Sequence, residues 1–270
     1  MKTQASFARA QTPEGKIALR AAFAAGRVLK NKFYQARAVE SKGFRDIVTD
    51  ADFAADRAVR RIITRAFPTH AILSEEDKGA PPRAEYIWIM DPLDGTTNYA
   101  RQLPIFCTSL ALTRRGQPLV GVVYDPTRDE CFFAERGHGA WMNGTRMRAS
   151  KIDALENAVV GFEYAREPHI RALGLKLLER ISMQSITARI GGSAALSICY
   201  VAAGRLDTYM QMTLSSWDVA AAILIAREAG ARVTHLDGKN ATIRGGAYLA
   251  GAPKIFPEFL KQVKSIVSEP

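Results

Sequence analysis

The residues best suited to chemistry form one run, Asp91-Pro92-Leu93-Asp94-Gly95-Thr96-Thr97-Asn98. Two carboxylates three positions apart can converge on one hard cation or bridge two. Oxygen donors are what Mg²⁺ takes from a protein, and water and phosphate complete its shell. Pro92 holds Asp91 out of the helical region, and Gly95 removes a side chain where a ligand must approach the backbone. Thr96, Thr97 and Asn98 add hydroxyls and free N–H groups at what reads as a helix start, a natural seat for an anion. Metal, phosphate and an attacking water can meet in such a place. Asp, Pro and Gly are also ordinary turn residues, so the two acids taken alone fit a plain strand–turn equally well.

The elements that must position this run are legible as periodicity. Tyr86-Ile87-Trp88-Ile89-Met90, just before it, reads as a buried strand. Residues ~13–38 repeat apolar side chains at helical spacing (Ile17, Ala21, Ala25, Val28, Leu29), and a second helix is expected from about Ala51 to Phe67. Between them Lys42-Gly43-Phe44-Arg45 is expected to turn over the site. Phe106 to Thr113 and Leu119 to Tyr124 read as a hairpin, which 131–134 and 139–142 continue to a turn at Asn143-Gly144. In the second half, strands are expected at 158–162, 186–190 and 206–210, and helices at 170–181, 194–203 and 219–229. Val233 to Leu236 then leads to a turn at Asp237-Gly238. Strands with helices between them predict an α+β layered architecture.

Composition narrows the class. With 47% hydrophobic and 24% charged residues over 270 positions, the chain has the makings of a sizeable core. It has no apolar run approaching the ~18 residues of a membrane helix and no secretory h-region after Met1, so a cytoplasmic, membrane-free protein is expected. Cys107, Cys131 and Cys199 are widely spaced and predict reduced thiols, and the four isolated histidines argue against zinc. The net charge of +10 is scattered rather than gathered into a tail. It fits an ordinary solvated surface or steering of anionic substrates better than a nucleic-acid partner.

Taken whole, D-P-L-D-G-T-T-N resembles the metal-binding motif of the inositol monophosphatase family. Three more segments match in the family's order. Leu73-Ser74-Glu75-Glu76-Asp77, on its own a solvated acidic cluster, is similar to the family's S/G-E-E segment, which makes Glu75 a metal ligand. Asp46-Ile47-Val48-Thr49-Asp50-Ala51-Asp52 resembles D-x-V-T-x-x-D. Thr49 and Asp52 also fit a capping box, a role compatible with orienting water near the metals. Ser216-Trp217-Asp218, on its own an N-cap, resembles W-D-x-x-A and makes Asp218 the last metal carboxylate.

The resemblance implies an αβαβα sandwich, one domain over 1–270 whose halves (roughly 1–150 and 151–270) hold the active site between them, and a homodimer. It implies a lithium-sensitive hydrolysis of a small-molecule phosphate monoester. Glu75, Asp91, the Leu93 carbonyl, Asp94 and Asp218 would hold two Mg²⁺, with Asp94 touching both. Asp52, with Lys42 on the loop nearby, would serve a third, weaker ion. Asp52, Glu75 and Thr96 are the implied catalytic residues. Substrate contacts fall on Asp94, Gly95, Thr96, Gly192, Ser193, Ala194, Gln211 and Asp218. Gln211 departs from the pattern, since the family carries a Glu there to bond an inositol hydroxyl. Inositol 1-phosphate is the expected substrate, with fructose 1,6-bisphosphate, 3′-phosphoadenosine 5′-phosphate, histidinol phosphate and NADP as alternatives. An RNA- or transcription-associated binding protein on the same scaffold is the rival from another class.

Overall fold

A computed structural model describes residues 2–35, 39–44 and 46–269, apart from the side chains of residues 2, 3, 42 and 46. The first half contains α1 (Lys2–Phe7), α2 (Pro13–Lys32), β1 (Val39–Gly43), β2 (Asp46–Thr49), α3 (Asp50–Ala66), β3 (Ala71–Ser74), β4 (Tyr86–Asp94) and α4 (Thr96–Ala100). A run of strands follows: β5 (Cys107–Arg114), β6 (Gln117–Asp125), β7 (Glu130–Glu135), β8 (Ala140–Met142) and β9 (Thr145–Arg146). The second half holds β10 (Val159–Phe162), α5 (Pro168–Ser182), β11 (Thr187–Arg189), α6 (Ala194–Ala202), β12 (Thr208–Leu214), α7 (Ser216–Glu228), β13 (Arg232–Thr234), β14 (Gly246–Gly251) and α8 (Phe256–Val267).

Two sheets organise these elements. The larger runs β3-β4-β5-β6-β7-β8-β9, with β3 parallel to β4 and every later pair antiparallel. The smaller runs β11-β10-β12-β14-β13, with β10 parallel to both neighbours. Strand alternation sends Trp88, Met90, Leu110 and Leu112 into a core with α2 and α3, and Ile89, Cys107 and Ala111 into a core with α6 and α7. The same α6–α7 core meets Tyr209 and Tyr248 of the smaller sheet. The other face of that sheet packs on α5 and α8 through Met210, Leu249, Leu177 and Phe259. The layers are therefore αβαβα, as the resemblance implied.

Local chemistry explains the helix that matters most. The alanines of α7, Ala220, Ala221, Ala222 and Ala226, are all buried, and their small size lets the helix lie on β6. A Cβ added at Gly121 of β6 would come within 2.8 Å of the Ala221 carbonyl oxygen.

Several boundaries differ from the expected ones. Helix α2 ends at Lys32, and residues 36–38 of the longer expected helix lie outside the described residues. Strand β12 runs on to Leu214, four residues past the expected end. Strand β14 and helix α8 had no expectation. The segment Gly246-Ala247-Tyr248-Leu249-Ala250-Gly251 is poor in β-branched residues, and only its place between β12 and β13 makes it a strand. Among the described residues no helix is long and apolar enough to cross a membrane.

Candidate active site

Strand β4 carries Asp91, Leu93 and Asp94 to the edge of a cleft of about 580 Å³ between the two sheets. Gly95 then turns the chain at φ 101, and a Cβ there would meet the Ile105 carbonyl oxygen at 2.9 Å, so only glycine suits the position. Helix α7 brings in Asp218 from the far side. Asp91, Asp94 and Asp218 each present one carboxylate oxygen, all within 4.8 Å of one another. Glu75, one residue past β3, lines the same cleft. Asp77 of the acidic triplet goes elsewhere: it accepts the Ser74 amide (2.9 Å) and pairs with Arg60 (2.6 Å).

These acids are not equivalent. Burial pushes the Asp91 carboxyl well above the usual range, and Glu75, Asp94 and Asp218 push it further. Burial raises Asp218 as well, followed by the charges of Asp94 and Glu75. Asp94 is also raised by burial, but Ser193 Oγ (2.6 Å) and the Ala195 amide (2.8 Å) both donate to its Oδ2 and oppose the shift. Asp94 therefore has one oxygen left for a ligand. Asp91 spends Oδ1 on the Leu93 amide (2.9 Å) and faces all three other acids.

A cluster of converging anions in a low-dielectric cleft asks for a cation, and the donor set fits a hard divalent ion. Every candidate donor is a carboxylate or the Leu93 carbonyl. Cys107 Sγ, 3.7 Å from Asp94 Oδ2, is a thiol that burial holds protonated, so it offers no thiolate.

Asp52 sits behind this cluster, 2% exposed. Its Oδ2 accepts the Thr49 amide (2.8 Å) and Thr49 Oγ1 (2.6 Å), closing the capping box of α3. Its Oδ1 faces Thr96 Oγ1 at 3.2 Å, and the same hydroxyl lies 3.0 Å from the Leu93 carbonyl oxygen. Asp52 thus reaches the cleft through Thr96. The Lys42 side chain and Arg45, expected over the site, lie outside the described residues.

Other expected groups take different partners. Asn98 Nδ2 donates to the Ile105 and Gly191 carbonyls, both at 2.8 Å, and so ties the β4–α4 turn to the loop before α6. Ser193 is the N-cap of α6, but its hydroxyl bonds Asp94 instead of the helix amides. Asp218 is not the N-cap of α7; Ser215 is, and its amide donates to Asp218 Oδ2 at 2.6 Å. Gln211 lines the cleft, yet Oε1 accepts from Tyr209 Oη (2.6 Å) and Nε2 donates to the Thr213 carbonyl (3.1 Å). Both ends of the amide are occupied.

One acid escaped the sequence reading. Glu163, 7% exposed, follows β10 and lines the cleft wall. Burial raises its carboxyl to about 7, against the opposing bonds from the Gly192 and Gly191 amides. The signal available was its place just past the carboxyl end of an apolar strand, where α/β sheets gather ligand-binding groups.

A five-layer sandwich with an all-oxygen acidic cluster between its sheets defines a metal-binding class of protein. The family can be stated outright: a family model of the inositol monophosphatase family matches residues 11–268, and the chain belongs to that family. Nus factor SuhB of Pasteurella multocida is 36% identical over 262 residues, covering 95% of this chain and 98% of that protein. The crystal structure of extragenic suppressor protein suhB from Bartonella henselae superposes with a TM-score of 0.90 at 35% identity, covering 94% of this chain and 99% of that one. Inositol monophosphatase from Anabaena gives 0.84 at 36% identity, covering 93% and 95%.

Proposed function

We propose that the protein is a Mg²⁺-dependent phosphate monoester hydrolase acting on inositol 1-phosphate or a related polyol phosphate. The observation that carries this reading is the acidic cluster with the Thr96–Asp52 pair directly beside it. Glu75, Asp91, the Leu93 carbonyl, Asp94 and Asp218 would hold two ions. Asp91, which faces the three other acids, and Asp94, whose Oδ2 is held by Ser193 and the Ala195 amide, would stand at the centre of the set. Bound cations supply charge neutralisation for the phosphate and lower the pKa of a coordinated water.

The chain's own groups do the rest. When its proton points to Asp52, the Thr96 oxygen can accept a hydrogen bond from the attacking water and hold it in line. Asp52 receives the proton that Thr96 passes on, its negative charge steadied by the Thr49 hydroxyl and amide. Gly95 and Thr96, opening α4, present backbone amides to the phosphate, while Ser193 and the Ala195 amide hold Asp94 in register. Phosphoryl transfer asks mainly for positioning and charge stabilisation, so no covalent nucleophile is required. The test is phosphate release by the purified protein with and without Mg²⁺. Release that survives EDTA unchanged would overturn the metal-dependent reading. Light scattering at assay concentration tests the homodimer that belongs to the same proposal.

A second reading rests on the relatives named Nus factor and on the net charge of +10. It adds an RNA- or transcription-associated role to the enzyme. A nucleic-acid shift that weakens steeply with salt would support it, and no shift at low salt would remove it.

A further inference from the structure

The cleft wall opposite the acid cluster holds a carboxylate with half of its bonding capacity unused. Glu163 Oε1 accepts the Gly191 amide at 3.0 Å, the Gly192 amide at 2.7 Å and Ser197 Oγ at 3.5 Å. Oε2 takes no hydrogen bond from the described residues, and it is not among the polar atoms sealed from solvent without a partner. Since the residue is 7% exposed and lines the cleft, that contact is with the cleft interior. A carboxylate oxygen in a low-dielectric wall gains from any donor that reaches it.

The neighbouring strand sharpens the point. Pairing of β10 with β12 matches Phe162 to Met210, and the Glu163 amide donates to the Met210 carbonyl at 3.3 Å. Glu163 therefore lies beside Gln211, whose amide is committed at both ends to Tyr209 and Thr213. The amide facing the cleft from β12 is held at each end by its own strand, while the carboxylate just past β10 keeps one whole oxygen without a partner among the described residues.

We infer that Glu163 Oε2 bonds a hydroxyl of the substrate's alcohol part, the recognition that the sequence assigns to Gln211. The inference rests on the phosphatase reading and specifies its substrate as a phosphate monoester of a polyhydroxylated alcohol. Oε1 meanwhile holds the Gly191–Gly192 loop, so one carboxyl both shapes the wall and reads the ligand.

Glu163→Gln is the informative variant. Its carbonyl oxygen can keep the loop amides, while an NH₂ group replaces the free acceptor. The assay runs at pH 8 with inositol 1-phosphate and with 4-nitrophenyl phosphate, which has no hydroxyl to offer. We expect kcat/KM for the inositol ester to fall about tenfold, as for loss of a charge-assisted hydrogen bond, and the aryl ester to stay within about twofold. A set of monodeoxy inositol phosphates adds a second measurement. The wild type should discriminate against one of them, and Glu163→Gln should have lost that discrimination. An equal fall on both esters would mean that Glu163 only holds the loop, and no fall on either would mean that it reads nothing. Both outcomes overturn the inference. Failure of the phosphatase reading shows separately, as no phosphate released from either ester by the wild type. Calorimetric titration with inositol 1-phosphate then decides: weaker binding by Glu163→Gln supports the contact, and equal or absent binding overturns it.

Discussion

Helices α3 and α7 both begin on a capping box, Thr49 with Asp52 and Ser215 with Asp218. The two aspartates diverge from there. Asp52 has both oxygens engaged, Oδ2 by Thr49 and Oδ1 by the Thr96 hydroxyl. Asp218 accepts the Ser215 amide on Oδ2 and still presents a carboxylate oxygen to Asp91 and Asp94. One carboxylate is closed by hydrogen bonds, and the other is left open against like charges. The same helix start thus serves either as a fixed acceptor behind a hydroxyl or as a ligand held out to a cation. The neighbours decide which, not the motif.

Breaking the open side should cost most. Asp218→Asn should weaken Mg²⁺ binding by more than the roughly 10–100-fold typical of losing an outer-shell partner, and phosphate release should fall with it. Calorimetric Mg²⁺ titration of the variant is the check, and wild-type affinity would remove Asp218 from the ligand set. Asp52→Asn should fail differently. Turnover should drop on the order of a hundredfold or more, the range of a lost acid–base group, with Mg²⁺ affinity nearly kept. Parallel losses of affinity in the two variants would erase the contrast.

Burial sets the acidity of Asp218 and of the acids around it. In EDTA, Asp91, Asp94, Asp218 and Glu163 all carry carboxyls raised by burial, Glu163 to about 7. A group raised on folding adds stability below its unfolded pKa and loses it as pH climbs through the folded value. The metal-free protein should therefore lose thermal stability between about pH 5 and pH 8, and Glu163 alone accounts for on the order of 3 kcal/mol. Mg²⁺ should restore much of the Tm at pH 8 and little at pH 5. Calorimetric scans in EDTA and in Mg²⁺ at both values test this, and a flat EDTA profile would contradict it.

The caps themselves give the smallest effect. Thr49→Ala and Ser215→Ala should each cost about 1 kcal/mol in denaturant unfolding. Only Thr49→Ala should also lower turnover, because Asp52 loses a hydroxyl donor, whereas Asp218 keeps its bond to the Ser215 backbone amide.

The local parts of this site were legible in the sequence. Asp91 and Asp94 announce themselves by spacing, and Thr49 with Asp52 by the capping pattern. The approach of Asp218 to Asp94 came only from resemblance, since no periodicity reports a contact between distant segments. Glu163 was missed because its partners, the amides of Gly191 and Gly192, belong to a loop that the smaller sheet brings to its side. Gln211 was only half legible for a related reason: its position on β12 is readable, but the Tyr209 hydroxyl on its Oε1 is visible only once the strand is folded. Helix α8 is a different case. Phe256, Phe259, Val263 and Ile266 have plain helical spacing, and all four are buried.

The contact between Gly121 and Ala221 gives the ligand cluster a mechanical setting. Helix α7 rests on strand backbone, with no side chain between them to yield, so the height of Asp218 over the strand aspartates is gauged by the thickness of a glycine. Gly121→Ala would act as a shim one methyl thick, lifting α7 at Ala221 and opening the cluster, at an overpacking cost of about 1–3 kcal/mol. A wider cluster suits a larger ion, since Ca²⁺ sits at roughly 2.3–2.6 Å from its oxygens and Mg²⁺ at roughly 2.0–2.1 Å. Ion choice at the cluster would then be tuned by a residue that carries no ligand atom, and competition between the two cations in Gly121→Ala would show it as a shift toward Ca²⁺.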